Sequence, residues 1–308
     1  MEGFLAAAVI AGMPLLFATL GEILTERAGN LNLGVEGMML MGAVVGFITG
    51  FHTASPVLAV AGAILAGAGG ALIYAILTVT LRAEQTVTGL TLTIFGTGFS
   101  SFVGQSVMGS TLPANFKVFF AAKAIPGLSS IPILGEIFFD HDVFVYFGYI
   151  TIIVSSFYLY HTRAGLNLRA VGESAASADA SGINTTLYKY VHILVGGALC
   201  GLGGAYMSLV TIPIWQENVV AGRGWIAVAL VIFASWRPVK GLVGALLFGG
   251  LSILGYRFQS MGIDISQYLI DMLPYAATIV IIILSTRKHR LENKPPADLG
   301  NAYFREER

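Results

Sequence analysis

Long apolar runs alternate with short polar breaks along this chain. A membrane-crossing helix needs about 20 mostly apolar residues. Such runs fall at 4–21, 32–50, 56–81, 87–108, 143–161, 187–210, 239–256 and 267–286. A further run, 225–236, is short for a crossing. It reads either as half of a broken pair with 239–256, across Arg237-Pro238, or as a span extended into its flanks. The pattern predicts an all-α polytopic membrane protein with eight to ten membrane helices. One stretch departs from it. Residues 21–41, GEILTERAGNLNLGVEGMMLM, carry Glu22, Glu26, Arg27, Asn30, Asn32 and Glu36, with Gly29, Gly34 and Gly37 among them. Lipid supplies no hydrogen bonds, so such a segment survives at membrane depth only inside protein or against water. It predicts a broken helix in a protein that moves a polar solute.

The connections are unequal. Residues 109–142 hold Pro113, Pro126, Pro132, Phe116, Phe119 and Phe120, which suits a docking surface, a re-entrant lid or a structured connector. Residues 162–186, TRAGLNLRAVGESAASADASGINTT, place a small-residue segment between Gly172 and Gly182. Ser174 or Glu173 can cap a short helix there. A helix lying on the membrane surface can dock in a groove of a soluble partner and carry its motion, although the composition also fits an ordinary interhelical loop.

Charge assigns the sides. The tail from Arg287 contains RKHRLENK, a cytoplasmic mark under the positive-inside rule. Alternating back from it puts 237–240, 162–186, 82–86 and 22–31 in the cytoplasm. Of the 17 basic residues, all but Lys117, Lys123, Arg223 and Arg257 fall on that side. Residues 1–290 then form a membrane domain and 291–308 a cytoplasmic tail. The first run lacks a basic leader and is expected to be a retained helix.

Composition narrows the class. Of the 308 residues, 56% are hydrophobic and 11% charged, against about 25% charged in soluble domains, and mean hydropathy is +0.78. The net charge is zero, so nothing suggests a nucleic-acid partner. The single cysteine, Cys200, cannot form an intrachain disulfide. The five histidines are scattered, which argues against a metal centre or a catalytic triad, and no Ser/His pair or paired-aspartate set suggests an intramembrane enzyme. No GxxxxGK[ST] occurs, so any ATP hydrolysis belongs to a partner.

Two motifs carry a resemblance over about residues 5 to 290. GEILTERAGNLNLGVEGMMLMGA and TRAGLNLRAVGESAASADASGI resemble the permease subunits of ATP-binding-cassette importers of the ribose, branched-chain amino acid and nucleoside type. The first is closest to those served by a basic-membrane-protein-type lipoprotein. The resemblance implies the type II importer fold, with ten or slightly fewer membrane segments. It implies a second permease subunit, identical or homologous, and a cytoplasmic ATP-binding-cassette ATPase that holds ATP and Mg. It also implies an extracellular lipoprotein or periplasmic binding protein that delivers a nucleoside or simple sugar, and residence in the cell membrane. Asn30, Asn32 and Glu36 would lie near the pathway. Gly89 to Gly98 would line it, with Gln85, Thr86 and Thr88 at the start of that helix. Glu173 to Ile183 would be the ATPase-coupling helix and its flank, with Gly172, Glu173, Ser174, Asp179, Ser181 and Gly182 as its residues.

Each site residue has a structural alternative. Asn30, Asn32 and Glu36 can bond a solute or restore the peptide groups of a broken helix, and no partner for Glu36 can be named from sequence. Thr88 and Thr91 share a helix face, yet threonine also bonds back to its own helix. Trp215, Trp225 and Trp236 fit interfacial belts, with Trp215 as a possible stacking surface for a base. Asp271 can face the pathway or cap the last span. Bulky replacement of Gly172 or Gly182 is expected to uncouple ATP hydrolysis from transport in a folded protein. The competing function is a self-sufficient channel or secondary transporter, for which only Glu36 and Asp271 offer coupling groups.

Overall fold

The computed structural model describes residues 2–260 and 294–304, with 266, 269, 272, 273, 275–280 and 283. Asp264, Asp271, Pro274 and half of the 267–286 run lie outside the described residues.

Among the described residues, seven helices are long and apolar enough to cross a membrane. They are built on α1 (Glu2–Arg27), α2 (Val35–Thr53), α3 (Pro56–Ala75), α4 (Gln85–Gly104), α7 (Val143–His161), α10 (Thr185–Tyr206) and α12 (Pro238–Ser260). α3 and α10 each end in a π-helical turn, Ile76–Thr80 and Met207–Thr211. The first helix does not end at residue 21. It continues through Arg27, so Glu22 and Glu26 sit on unbroken helix and the interruption is confined to 28–34. The 225–236 run is α11 (Arg223–Ala234), 12 residues long. At about 1.5 Å per residue it reaches about 18 Å, short of the hydrocarbon core of about 30 Å. The passage is completed by the irregular chain before it, 212–222, rather than by 239–256.

α10 is the axis of packing, because its glycines remove the side chains that would hold its neighbours away. A Cβ on Gly196 would sit 2.7 Å from the Gly21 oxygen of α1, and one on Gly201 would meet the Ala63 oxygen and lie 3.0 Å from the Gly67 Cα of α3. One on Gly42 of α2 would lie 2.8 Å from the Gly201 carbonyl carbon. Lipid tails are as apolar as leucine, so close backbone contact supplies what the hydrophobic effect cannot between membrane helices.

The two ends of the bundle differ. At one end, residues 109–142 are a structured connector containing α5 (Ala114–Phe119), α6 (Leu134–Phe138) and a short antiparallel pair, β1 (Lys123–Ala124) with β2 (Asp140–His141). Phe116 and Phe120 are buried in the main core, and Asn115 donates to the Ala54 oxygen at 2.6 Å. At the opposite end stand α8 (Arg163–Glu173), α9 (Ala175–Ala180) and residues 294–304. We call these the hairpin end and the coupling end.

Candidate translocation and coupling site

The break after α1 is a framed segment. Breaking a helix frees peptide groups that must find new partners in a membrane interior. Leu31 N–H donates to Gln85 Oε1 at 2.7 Å, and Tyr74 OH donates to the Leu31 oxygen at 2.5 Å. Asn32 N–H donates to Glu22 Oε1 at 3.0 Å, and Gly34 N–H to Asn32 Oδ1 at 2.9 Å. Thr93 Oγ1 donates to the Leu33 oxygen at 2.9 Å. Leu31 is thus bonded to the first residue of α4 and Leu33 to its ninth, so the segment climbs α4 into the membrane. Gly37 continues the climb against the Leu92, Thr93 and Gly96 backbone.

Glu36 therefore begins α2 inside the bilayer. Its two oxygens accept from Gly222 N–H at 2.8 Å and Gly224 N–H at 2.6 Å. These are free donors at the start of α11, where Gly222 takes φ +82°. A helix N-terminus carries partial positive charge that favours a carboxylate. The far end of α11 is also tied to the first break, because Trp236 Nε1 donates to Glu26 and Arg27 donates to the Trp236 oxygen at 3.2 Å. The length of α11 puts Glu36 about 18 Å from the coupling end, and α2 puts it about 26 Å from the hairpin end. Two interrupted passages thus meet near mid-membrane, a geometry used by transporters with discontinuous helices. Arg223, the first residue of α11, lies beside this junction.

The sequence-predicted pathway residues divide. Asn30, Asn32, Glu36, Gln85 and Thr88 are buried, and the side chains of Asn32, Glu36 and Gln85 bond to backbone of the frame. Both polar atoms of the Asn30 side chain are buried without a partner among the described residues. Thr88 bonds back to the Glu84 oxygen at 2.6 Å. Thr86 is half-buried, and its N–H donates to Glu84 Oε1 at 3.0 Å. Glu84 caps α4, and the Val87 and Thr86 N–H groups hold its carboxyl below the usual glutamate range. Thr91 is exposed although Thr88 is not, so the two do not share an environment.

The residues expected to contact an ATPase gather at one end. Ser174, not Glu173, caps α9, its Oγ accepting from Ser177 N–H at 3.2 Å. Ala175 and Ala178 face inward, while Ala176, Ser177, Ala180 and Ser181 are exposed. Asp179 is half-buried, and Gly182 ends the unit at φ +81° with open space around it. Gly172 is different. A side chain there would strike the Arg27 oxygen and lie 3.3 Å from Pro296 Cβ, so bulky replacement disturbs the fold itself. Trp215 is 1% exposed against Phe47, and Trp236 is buried. Neither is an interfacial belt residue, and in this conformation Trp215 has no free face for a base.

Two features escaped the sequence reading. One is α8, within the 162–186 connection, where Gly165, Leu168, Val171 and Gly172 recur at helical spacing and form its buried face. The docking of residues 296–304 was also missed. Its signal is an aspartate and two aromatics, Asp298, Tyr303 and Phe304, after a basic tail.

Residues 4–283 match the family described as branched-chain amino acid transport system / permease component. The guanosine ABC transporter permease NupQ of Bacillus subtilis is 33% identical, over 90% of this chain and 89% of its own length. The nucleoside ABC transporter permease NupC of Lactococcus lactis is 32% identical, over 92% of each. TsgC13 of Haloferax volcanii, provisionally named a glucose ABC transporter permease, is 36% identical over 99% of this chain and 98% of its own. No solved structure matches the chain. With its apolar spans and interrupted helices, the chain belongs to the branched-chain amino acid transport system / permease component family, as a multi-pass membrane subunit of an ATP-binding-cassette transporter and not an enzyme.

Proposed function

We propose that the chain is one of two membrane subunits of an ATP-driven importer for a nucleoside or simple sugar in the cell membrane. The coupling end and the 291–308 tail face the cytoplasm, where an ATPase with its own ATP and Mg binds α9. An extracellular or periplasmic binding protein delivers solute at the hairpin end. The names of the relatives, guanosine, nucleoside and glucose permeases, support the solute class. α9 carries the reading: a short capped helix of small residues, apolar inward and exposed outward, suits docking in a partner's groove. Asn32, Glu36 and Gln85 hold the interrupted helices in place rather than gripping solute. That suits a path the solute must leave easily.

The test is purification of the tagged chain from native membranes in mild detergent, with mass spectrometry of what comes with it. An ATP-binding-cassette ATPase in stoichiometric amount is expected, and a second permease appears if the core is heterodimeric. Recovery of this chain with no ATPase contradicts the proposal.

A further inference from the structure

Residues 296–304 form a strap along the coupling end, bonded to two different structures. On one side it holds α9. Asp298 Oδ2 accepts from Ala175 N–H, the first residue of α9, at 2.6 Å, and Tyr303 OH donates to Asp179 Oδ2 near its other end at 2.7 Å. Asp298 N–H also donates to the Gly172 oxygen at 3.0 Å. On the other side it holds the break after α1. Gly300 N–H donates to the Gly29 oxygen at 3.3 Å, and Gln85 Nε2 donates to the Asn301 oxygen at 3.4 Å. The same Gln85 accepts from Leu31 N–H through its Oε1. Leu299 packs against a core cluster that includes Ile23, Ala28 and Leu168, and the Arg82 guanidinium lies over the Phe304 ring, 4.7 Å from its centroid.

This arrangement matters because α8 and α9 reach the break differently. α8 rests on α1 directly, through Gly172 against the Arg27 oxygen. α9 carries the exposed face, and the strap pins it near both ends. A load applied to α9 therefore reaches the 28–34 segment through Asp298, the strap backbone and Gln85. That segment leads to Glu36 and the start of α11. Pinning at two points transmits rotation as well as translation, which one hinge at Ser174 would not.

We infer that Asp298 is a positioning residue for transport, and that the 296–304 strap transmits movement of the coupling helix to the broken segment 28–34. The inference rests on the reading of α9 as the ATPase contact. Asp298 touches no solute. It acts by holding the first turn of α9 in register with the strap.

The test is hydrogen–deuterium exchange of the purified complex with its native ATPase, with and without ATP and vanadate. Protection of the buried Cys200 thiol from a thiol-reactive dye is the control for folding. In the wild type, trapping is expected to change exchange at both 174–183 and 28–34. In Asp298→Ala the change at 174–183 remains and the change at 28–34 is lost, while Asp298→Asn, which keeps an acceptor oxygen for Ala175 N–H, restores it. If Asp298→Ala exposes Cys200, Tyr303→Phe serves instead. It removes one bond at the far end of α9 and is expected to reduce the change at 28–34 by about half. A wild-type change at 174–183 without one at 28–34 overturns the strap and leaves the ATPase contact standing. So does an unaltered 28–34 response in the variant used. No wild-type change at 174–183 overturns the α9 contact itself, and the inference with it.

Discussion

Replacing Glu36 by glutamine asks whether its carboxylate holds the mid-membrane junction together. The carboxylate accepts two backbone N–H bonds, at 2.8 and 2.6 Å, from the first turn of α11. An amide keeps one acceptor oxygen and turns an NH₂ group toward the other donor. A hydrogen bond to a charged group contributes about 1.5–3 kcal/mol, and a buried donor left unpaired costs about 1–3 kcal/mol. Loss of the charge at the helix terminus adds about 1 kcal/mol. These effects overlap because they describe the same two bonds, so a net loss of about 2–4 kcal/mol is expected. For domains of 150–250 residues each kcal/mol moves Tm by about 2–4 °C. Taking the lower figure for this longer chain, Glu36→Gln should melt roughly 4–8 °C below wild type. Cys200 provides the assay, since it is the only cysteine and is fully buried. A dye that fluoresces on reaction with thiols reports its release on heating in detergent. Thr91→Ala, at an exposed position on α4, is the control and should stay within about 0.5 kcal/mol of wild type. A Glu36→Gln curve that overlies the wild type would refute the junction as a stabilising element.

Three further outcomes are expected. Gly201→Ala pushes a methyl group into the α3 backbone and should destabilise by about 1–3 kcal/mol as an overpacking change, read by the same dye. Trp236→Phe removes the Nε1 donor from Glu26 and leaves a buried carboxyl oxygen without it, at about 1–3 kcal/mol, again read as a lower Tm. Asp142, which caps α7 with Oδ1 accepting from Phe144 and Val145 N–H, has its carboxyl pushed up by burial. The folded state then binds the proton more tightly than the unfolded one. Stability is greatest below the unfolded aspartate value of about 3.9 and declines as pH rises through the raised folded value. Asp142→Asn keeps the capping oxygen and should flatten this part of the Tm-against-pH curve. An unchanged slope would remove Asp142 as its source.

Much of the architecture could be read from hydropathy, because a membrane span must bury its own peptide groups and so appears as one long apolar run. The α1 boundary could not. Glu22 and Glu26 look like helix breakers at membrane depth until their partners, Asn32 N–H and Trp236, are known, and Trp236 lies 210 residues away. Glu36 was legible as a costly intramembrane charge, but its acceptor role depends on the Gly222–Gly224 backbone, which has no side-chain signature. Ser174 as a cap was legible because capping is local. The strap was not, because Asp298 and Ala175 meet only through the tertiary fold. The ambiguity of Trp215 followed from the same limit: its sequence position suggests an interface, while Phe47 and Gly104 enclose it.

The most direct test of the account is solute flux in proteoliposomes holding the purified complex and supplied with its solute-binding protein, with radiolabelled guanosine and glucose as probes and ATP supplied on the ATPase side. The account predicts uptake of at least one probe that requires hydrolysable ATP and the bound ATPase, and that stops when ATP is omitted. Flux of equal rate through this chain alone, without ATP or ATPase, would contradict it and make the protein a channel or secondary carrier.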